Sequence, residues 1–422
     1  MSDLTRLQSP AAQTHHLWER QLDRRQFLQF SSLFAISAGL AVGCNRILPQ
    51  SDQNPQVRVG YLPITDSSPL LAANDKGFYR AEGLDIAPPV KFSSWDAIVK
   101  AFIAREVNVI HLLMPTTMWV RYGANFPGKV VAWNHTNGSA LTVLPEINEP
   151  ADLAGRTIAI PFWFSIHNIV LQMLLREHGL DPVTAIPRTG LGDRQVYLKV
   201  LPPPAMLAEL QDQRIAGYIV AEPFNSAAET LQVGKILRLT GDVWRDHACC
   251  VVFMHEEDLQ QRPDWTQAVV NALVKSQQWS KANRQELAHI LSKDGGGYMP
   301  FSADVLRRVL TNYDTDFYHR HGAVIHPEWR SARIDFQPFP FASYTHRLVD
   351  ELRKTLIGNT PSDRTIDPLA FLQKLTSEQI TTDLVDDSFV RRSLQLVGGP
   401  QAFNLAPDLS RQELISIEHS SI

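Results

Sequence analysis

The sequence predicts an α/β fold made of two successive β-α-β units followed by helices. Three observations carry this expectation. Short apolar–polar alternating stretches recur between amphipathic ones in both halves of the chain. The 27 prolines scattered over 422 residues favour many short connected elements over a long coiled coil or helical array. Hydrophobic residues make up 44% of the chain, enough for a sizeable core and about two to three domains or two lobes.

In chain order, residues 56–62 alternate apolar and polar as a first strand, which Pro63 ends. Asp66-Ser67-Ser68-Pro69 supplies an N-cap and a first-turn proline for a helix that stops near Lys76-Gly77. Residues 85–90, 107–113 and 129–136 read as strands, with a helix over 95–105. This β-α-β order predicts a largely parallel sheet. A second run gives a strand at 156–161, a helix at 165–178 stopped by Gly179, strands at 198–201 and 215–220, and a helix at 204–212 between them. Strands at 234–239 and 248–255 follow, the latter returning the chain to the first unit. Residues 264–291, 303–313, 340–357 and 367–375 carry helical periodicity, and the last twenty or so residues read as loosely structured.

The charge balance narrows the function classes. Forty Lys and Arg stand against 44 Asp and Glu, net −4, so there is no basic excess to neutralise a nucleic-acid backbone. Three cysteines exclude a disulfide scaffold and a multi-cysteine metal domain. At the N-terminus, Arg24-Arg25-Gln26-Phe27-Leu28 precedes an apolar stretch over 30–42 and looks like a twin-arginine export signal. Leu40-Ala41-Val42-Gly43-Cys44 resembles a lipobox with Cys44 as the lipidated residue, although leucine stands four places before the cysteine where the pattern prefers three. The expected segment is 1–44, with cleavage elsewhere by an ordinary peptidase as the alternative. Cleavage before Cys44 leaves 36 basic and 41 acidic groups, net −5, on a periplasmic protein tethered by at most one lipid.

Several phrases, in this order and spacing, resemble one family. They are Gly60-Tyr61-Leu62-Pro63 with Asp66 and Pro69, Lys76-Gly77-Phe78-Tyr79 followed by Glu82-Gly83-Leu84, Ser94-Trp95, and His111-Leu112-Leu113-Met114-Pro115. Leu153-Ala154-Gly155-Arg156-Thr157 and Ala221-Glu222-Pro223-Phe224 complete the set. Over residues 56–335 the chain is similar to the nitrate/sulfonate/bicarbonate (taurine) family of periplasmic solute-binding proteins of ABC importers. The likeness is greatest to the cyanobacterial nitrate- and bicarbonate-binding branch. The resemblance implies a two-lobe periplasmic-binding-protein fold of type II with a helical C-terminal extension. Lobe 1 comprises 56–148 and the return part 247–335, lobe 2 is 149–246, and 336–422 forms C-terminal helices and tail. It also implies a small anionic solute in the cleft and, as partners, an ABC permease with its ATPase.

Ligands in open α/β sheets bind beyond the carboxyl ends of strands, where helix N-termini attract anions. Thr65, Asp66 and Ser67 offer such donors, or they simply cap their helix. Trp95 stands where the nitrate branch lines its pocket with a tryptophan, and Met114 forms the wall after a strand. Ser139 replaces that branch's glutamine with a shorter donor. Trp163 belongs to the densest aromatic cluster, as a lid or as core, and His167 sits where the branch places a ligand-contacting histidine. Glu222 replaces the aspartate of a Gly-Asp-Pro element. The return strand reads His247-Ala248-Cys249-Cys250 where relatives carry His-Pro-Glu-Lys, so the resemblance no longer supports a calcium-assisted bicarbonate site or the usual nitrate lysine. The more apolar corner suits a ligand with an organic part such as a sulfonate. Adjacent cysteines can bind a soft metal or oxidise, but neighbours on a strand point to opposite faces, which puts one in the core.

No Gly-x-Ser-x-Gly elbow, P-loop or His-Glu-x-x-His occurs. The expectation is therefore a binder and not an enzyme, with no cofactor and no metal. The alternatives are a pyrimidine-precursor (thiamine-related) binding protein or synthase on the same fold, and a periplasmic sensor.

Overall fold

Short strands whose central members are buried along their whole length build two sheets. The computed structural model describes residues 54–358 and 367–416; the expected export signal and Cys44 lie outside the described residues. The first sheet contains β1 (Val59–Tyr61), β2 (Val90–Lys91), β3 (Val109–Leu113), β4 (Gly128–Trp133) and β12 (Cys250–His255), in the order β2-β1-β3-β12-β4. β1 runs parallel to β2 and β3. β12 enters antiparallel between β3 and β4, with Val252 opposite His111 on one side and Ala132 on the other.

The second sheet has the order β11-β6-β10-β7-β9-β8. It comprises β6 (Ser139–Val143), β7 (Thr157–Ile160), β8 (Asp181–Val183), β9 (Gln195–Val200), β10 (Gly217–Ala221) and β11 (Lys235–Leu239). β7 is parallel to β9 and β10, whereas β6 runs antiparallel to β10 and β11.

Two segments join the sheets side by side. The chain leaves β4 through β5 (Thr136–Asn137) and returns through residues 247–249. Asn137 N donates to the His247 carbonyl at 2.9 Å, Asn134 N donates to the Cys250 carbonyl at 3.1 Å, and Thr136 bridges Ala248 antiparallel. Asn137 and Gly138 both have positive φ, 56° and 79°, which turns the chain sharply into β6. β13 (Ile334–Asp335) pairs with β5 from the outside.

Capping follows the sequence. Ser94 starts the helix Trp95–Ile103 with its Oγ accepting from Ala97 N at 3.2 Å, and Ser165 starts Ile166–Glu177 by accepting from Asn168 N at 3.0 Å. Elsewhere the structure corrects the expected boundaries. The helical stretch expected over 264–291 is two helices, Pro263–Ala282 and Arg284–Leu291, broken at Asn283. The strand expected over 129–136 stops at Trp133, and 367–375 holds only the 3-10 turn Ala370–Leu372.

The C-terminal portion packs back on both sheets. Helix Ser388–Leu396 lies against Pro263–Ala282, where Gln267 Nε2 donates to the Ser393 hydroxyl at 2.9 Å and that hydroxyl donates to Asn271 Oδ1 at 2.7 Å. Helix Ala342–Arg353 places Tyr344 against Trp133 and Trp244, with ring centroids 4.9 Å apart in each case. Just beyond it, Leu356 N donates to Gln172 Oε1 at 2.8 Å while Gln172 Nε2 donates back to the Leu356 carbonyl at 2.9 Å. This segment therefore reaches from the first sheet to a helix of the second.

Candidate functional site

The turn after β1 sets the site's first wall. Thr65–Ser67 forms a 3-10 turn leading into the helix Ser68–Asp75, and it presents Asp66 inward. Asp66 Oδ2 lies 3.0 Å from His135 Nε2 and accepts from the thiols of Cys249 and Cys250 at 3.2 Å each. His135 comes from the outgoing crossing segment and the cysteines from the returning one, so the paired segments deliver three side chains to one carboxylate. The two sulfurs are 4.0 Å apart. Both lie in the core, and the expectation that they point to opposite faces therefore fails. Only Cys250 belongs to β12; Cys249 sits in the bend before it, where strand alternation does not apply.

The second sheet closes the other side. Ser139 Oγ and His167 Nε2 are 2.9 Å apart, and His167 Nε2 lies 3.8 Å from Cys249 Sγ. Trp95 packs its ring 5.4 Å from that of His111, whose Nε2 accepts from Leu62 N at 2.8 Å. Met114 is buried, with its backbone N donating to the Cys249 carbonyl at 3.0 Å. All of these side chains are buried. Several polar atoms here find no hydrogen-bond partner among the described residues: Asp66 Oδ1, Trp95 Nε1, His111 Nδ1, Asn134 Oδ1, His135 Nδ1 and His167 Nδ1.

Burial and pairing set the charges. Burial pushes the Asp66 carboxyl up to about 6, against the pull of His135. Burial alone would lower His135, but the adjacent Asp66 carboxylate outweighs it and holds the imidazole up to about 10. Near neutrality the two form an ion pair. His111 is pushed down by burial to about 3 and stays neutral, matching its role as acceptor. Burial works against a Cys249 thiolate, yet the Cys250 thiol and the imidazoles of His167 and His135 bring it well below the ordinary thiol value.

The remaining sequence candidates have other partners. Thr65 donates through both N and Oγ1 to the Glu222 carbonyl, at 2.9 and 3.1 Å. The Ser67 hydroxyl donates to the carbonyls of Ile64 and Leu62, at 2.7 and 3.1 Å. The Glu222 carboxylate is occupied by Arg333, whose Nε and Nη2 donate at 2.8 and 2.6 Å, and by Ser226 N at 3.1 Å. Trp163 lies half-buried over Gly358, where a Cβ would meet its ring at 2.3 Å. The structure thus links Asp66, Met114, Ser139 and His167 through Cys249, sets Trp95 against His111, and gives Thr65, Ser67, Trp163 and Glu222 structural contacts. Sequence reasoning did not include His135, His111, Asn134, Cys249 and Cys250 among the site residues. The clue was local: His135 and the cysteines flank the two crossings, which any two-lobe fold must bring together.

The family model described as the NMT1-like family matches residues 50–292. The nitrate/nitrite binding protein NrtA of Nostoc sp. (strain PCC 7120) is 26% identical over 285 residues, 62% of this chain and 62% of that protein. The nitrate import ATP-binding protein NrtC of Synechocystis sp. (strain PCC 6803) is 28% identical over 254 residues, 56% of this chain and 36% of that one. This chain thus spans between about a third and two thirds of the length of these relatives. Among solved structures, the periplasmic nitrate-binding protein NrtA from Synechocystis PCC 6803 superposes with a TM-score of 0.68 at 18% identity, covering 86% of this chain and 94% of that one. The fold is the two-lobe α/β fold of periplasmic binding proteins, as the resemblance implied. The family match spans more than half of the sequence, and the chain belongs to the NMT1-like family.

Proposed function

We propose that this protein is the solute-binding subunit of an ABC importer, working outside the cytoplasm and carrying out no reaction of its own. The observation that carries this reading is the shared burial of side chains from two sheets and both crossings, with six polar atoms that lack partners among the described residues. Buried polar groups are ordinarily satisfied, so such a set favours a ligand gripped between closing lobes. Relatives named for nitrate, nitrite and bicarbonate support a small anion as cargo. A relative named as an import ATP-binding protein supports a permease and its ATPase as partners. Among the described residues no helix is long and apolar enough to cross a membrane.

In this reading Trp95 Nε1–H, the Ser139 hydroxyl and the His167 imidazole hold the anion, while Met114 supplies an apolar wall. No lysine stands at this corner, and the thiols make it less polar, which favours an anion with an organic part. The test is a thermal-shift and calorimetric panel of nitrate, nitrite, bicarbonate, alkanesulfonates, taurine and pyrimidine precursors. At about one hundred times Kd the best ligand stabilises by about 2.7 kcal/mol. His167→Ala and Trp95→Ala should each weaken it at least about tenfold, the loss of one hydrogen bond to a charged group. A panel in which nothing shifts the melting temperature overturns the importer reading, and unchanged affinity in both variants removes these residues from the site.

A further inference from the structure

Four side chains of the crossing region carry more than a solute cleft requires. Asp66, His135, Cys249 and Cys250 are fully buried, and one ligand-type atom from each lies within 4.8 Å of all the others. Three potential donors crowd a single oxygen, since both thiols and His135 Nε2 approach Asp66 Oδ2. That nitrogen also faces the backbone N–H of Cys250, 3.2 Å away, so it cannot act as donor and acceptor to both neighbours at once. Meanwhile Asp66 Oδ1 and His135 Nδ1 find no partner among the described residues. Two sulfurs, a carboxylate and an imidazole converging without a consistent hydrogen-bond assignment form a poor proton-bonded network. As a ligand set they are coherent.

We propose that Asp66, His135, Cys249 and Cys250 form a binding site for a thiophilic divalent cation of the Zn²⁺ class. Tetrahedral zinc with metal–sulfur distances of about 2.3 Å and metal–nitrogen or metal–oxygen distances of about 2.1 Å separates its ligand atoms by about 3.8 Å (S–S), 3.6 Å (S–O) and 3.4 Å (N–O). The distances here are 4.0 Å between the sulfurs, 3.2 Å from each sulfur to Asp66 Oδ2, and 3.0 Å from that oxygen to His135 Nε2. These four separations lie within about 0.4 Å of the tetrahedral values, and the nitrogen–sulfur pairs lie within 4.8 Å. The donor set, two thiols with an imidazole, selects zinc-like ions over calcium or magnesium, which take all-oxygen shells. On binding, each thiol and the protonated His135 imidazole release a proton to solvent, His135 then coordinates as the neutral base through Nε2, and the two thiolates and the carboxylate meet the ion's charge. The paired crossing segments hold three of the four ligands, so the ion would tie the two crossings to the turn after β1.

This goes beyond the importer reading and does not depend on it. The full chain, kept reduced and stripped with a chelator, is titrated with Co²⁺ as a spectroscopic probe and then with Zn²⁺. One equivalent of Co²⁺ should give a thiolate-to-metal charge-transfer band with intense visible bands, and Zn²⁺ should displace it. Cys249→Ser and Cys250→Ser should each abolish the charge-transfer band or weaken binding at least about a hundredfold, the upper end of what losing even an outer partner costs a metal site. Asp66→Asn should weaken binding while keeping the sulfur band, which guards against a cysteine variant that merely misfolds. Absence of the band in the reduced wild-type chain, or its survival in both cysteine variants, overturns the proposal. Anion affinity of the chelator-stripped protein is measured separately: anion binding without metal binding sinks the cation site alone, and metal binding without any anion response sinks the importer reading alone.

Discussion

Two buried residues outside the site report how this chain tolerates charge. The His255 ring, at the end of β12, stacks on Phe102 with centroids 3.9 Å apart. Burial pulls its basicity down from the ordinary 6.5 to about 4, with the positive charges of Arg105 and Arg58 adding to the effect. Protons therefore bind the unfolded chain before the folded one. This contribution to stability is whole above about pH 6.5 and declines as the pH falls toward about 4, by up to roughly 3 kcal/mol. Urea midpoints at pH 7.5 and 4.5 should separate less for His255→Leu than for the wild type; equal separation would falsify the assignment. Arg333 is the opposite case, a buried cation matched by Glu222 and, through Nη2, by Glu229 at 3.1 Å. Arg333→Met leaves the Glu222 carboxylate buried with its ion pair gone. The expected loss is about 3–5 kcal/mol by chemical denaturation, partly recovered by adding Glu222→Gln. If the double variant is no more stable than the single one, the pair is not the source of the loss.

Elements were readable where polarity alternated along the sequence, as over 56–62, or where a serine stood before an apolar run. Ser94 and Ser165 cap the helices expected of them, and the β1 and β3 patterns hold to within three residues at their ends. Elements decided by tertiary packing left weaker marks. Helix Ser388–Leu396 carries no proline or glycine signal at its start; its buried Phe389, Val390 and Leu394 make sense only against Pro263–Ala282. The break at Asn283 lies inside unbroken helical periodicity. β12 shows a further packing constraint: a Cβ on Gly128 of β4 would stand 2.2 Å from the Phe253 ring, so glycine lets β4 and β12 approach. Gly128→Val should force that buried ring aside and lower stability by about 1–3 kcal/mol. A melting temperature equal to the wild type's would show that Phe253 has room to move.

At the scale of the molecule, the candidate site was half legible. Asp66, Trp95, Ser139 and His167 stand on motifs and helix starts, the places where a sequence advertises a cleft. The thiol pair did not, because its arrangement depends on a bend before β12 that strand periodicity cannot register. Glu222 and Trp163 looked equally exposed to a ligand, yet a distant arginine and a distant glycine, Arg333 and Gly358, claim them; contacts separated by more than a hundred residues leave no local trace. The reciprocal amide pair between Gln172 and Leu356 ties the segment after helix Ala342–Arg353 to helix Ile166–Glu177. Under the proposed importer reading it would serve as a latch that has to part before solute enters, so that admission would wait on a spontaneous fluctuation instead of on encounter. Stopped-flow association should then level off at a ceiling as solute concentration rises, and Gln172→Ala should lift that ceiling. A rate climbing linearly without limit would mean the door stands open on its own.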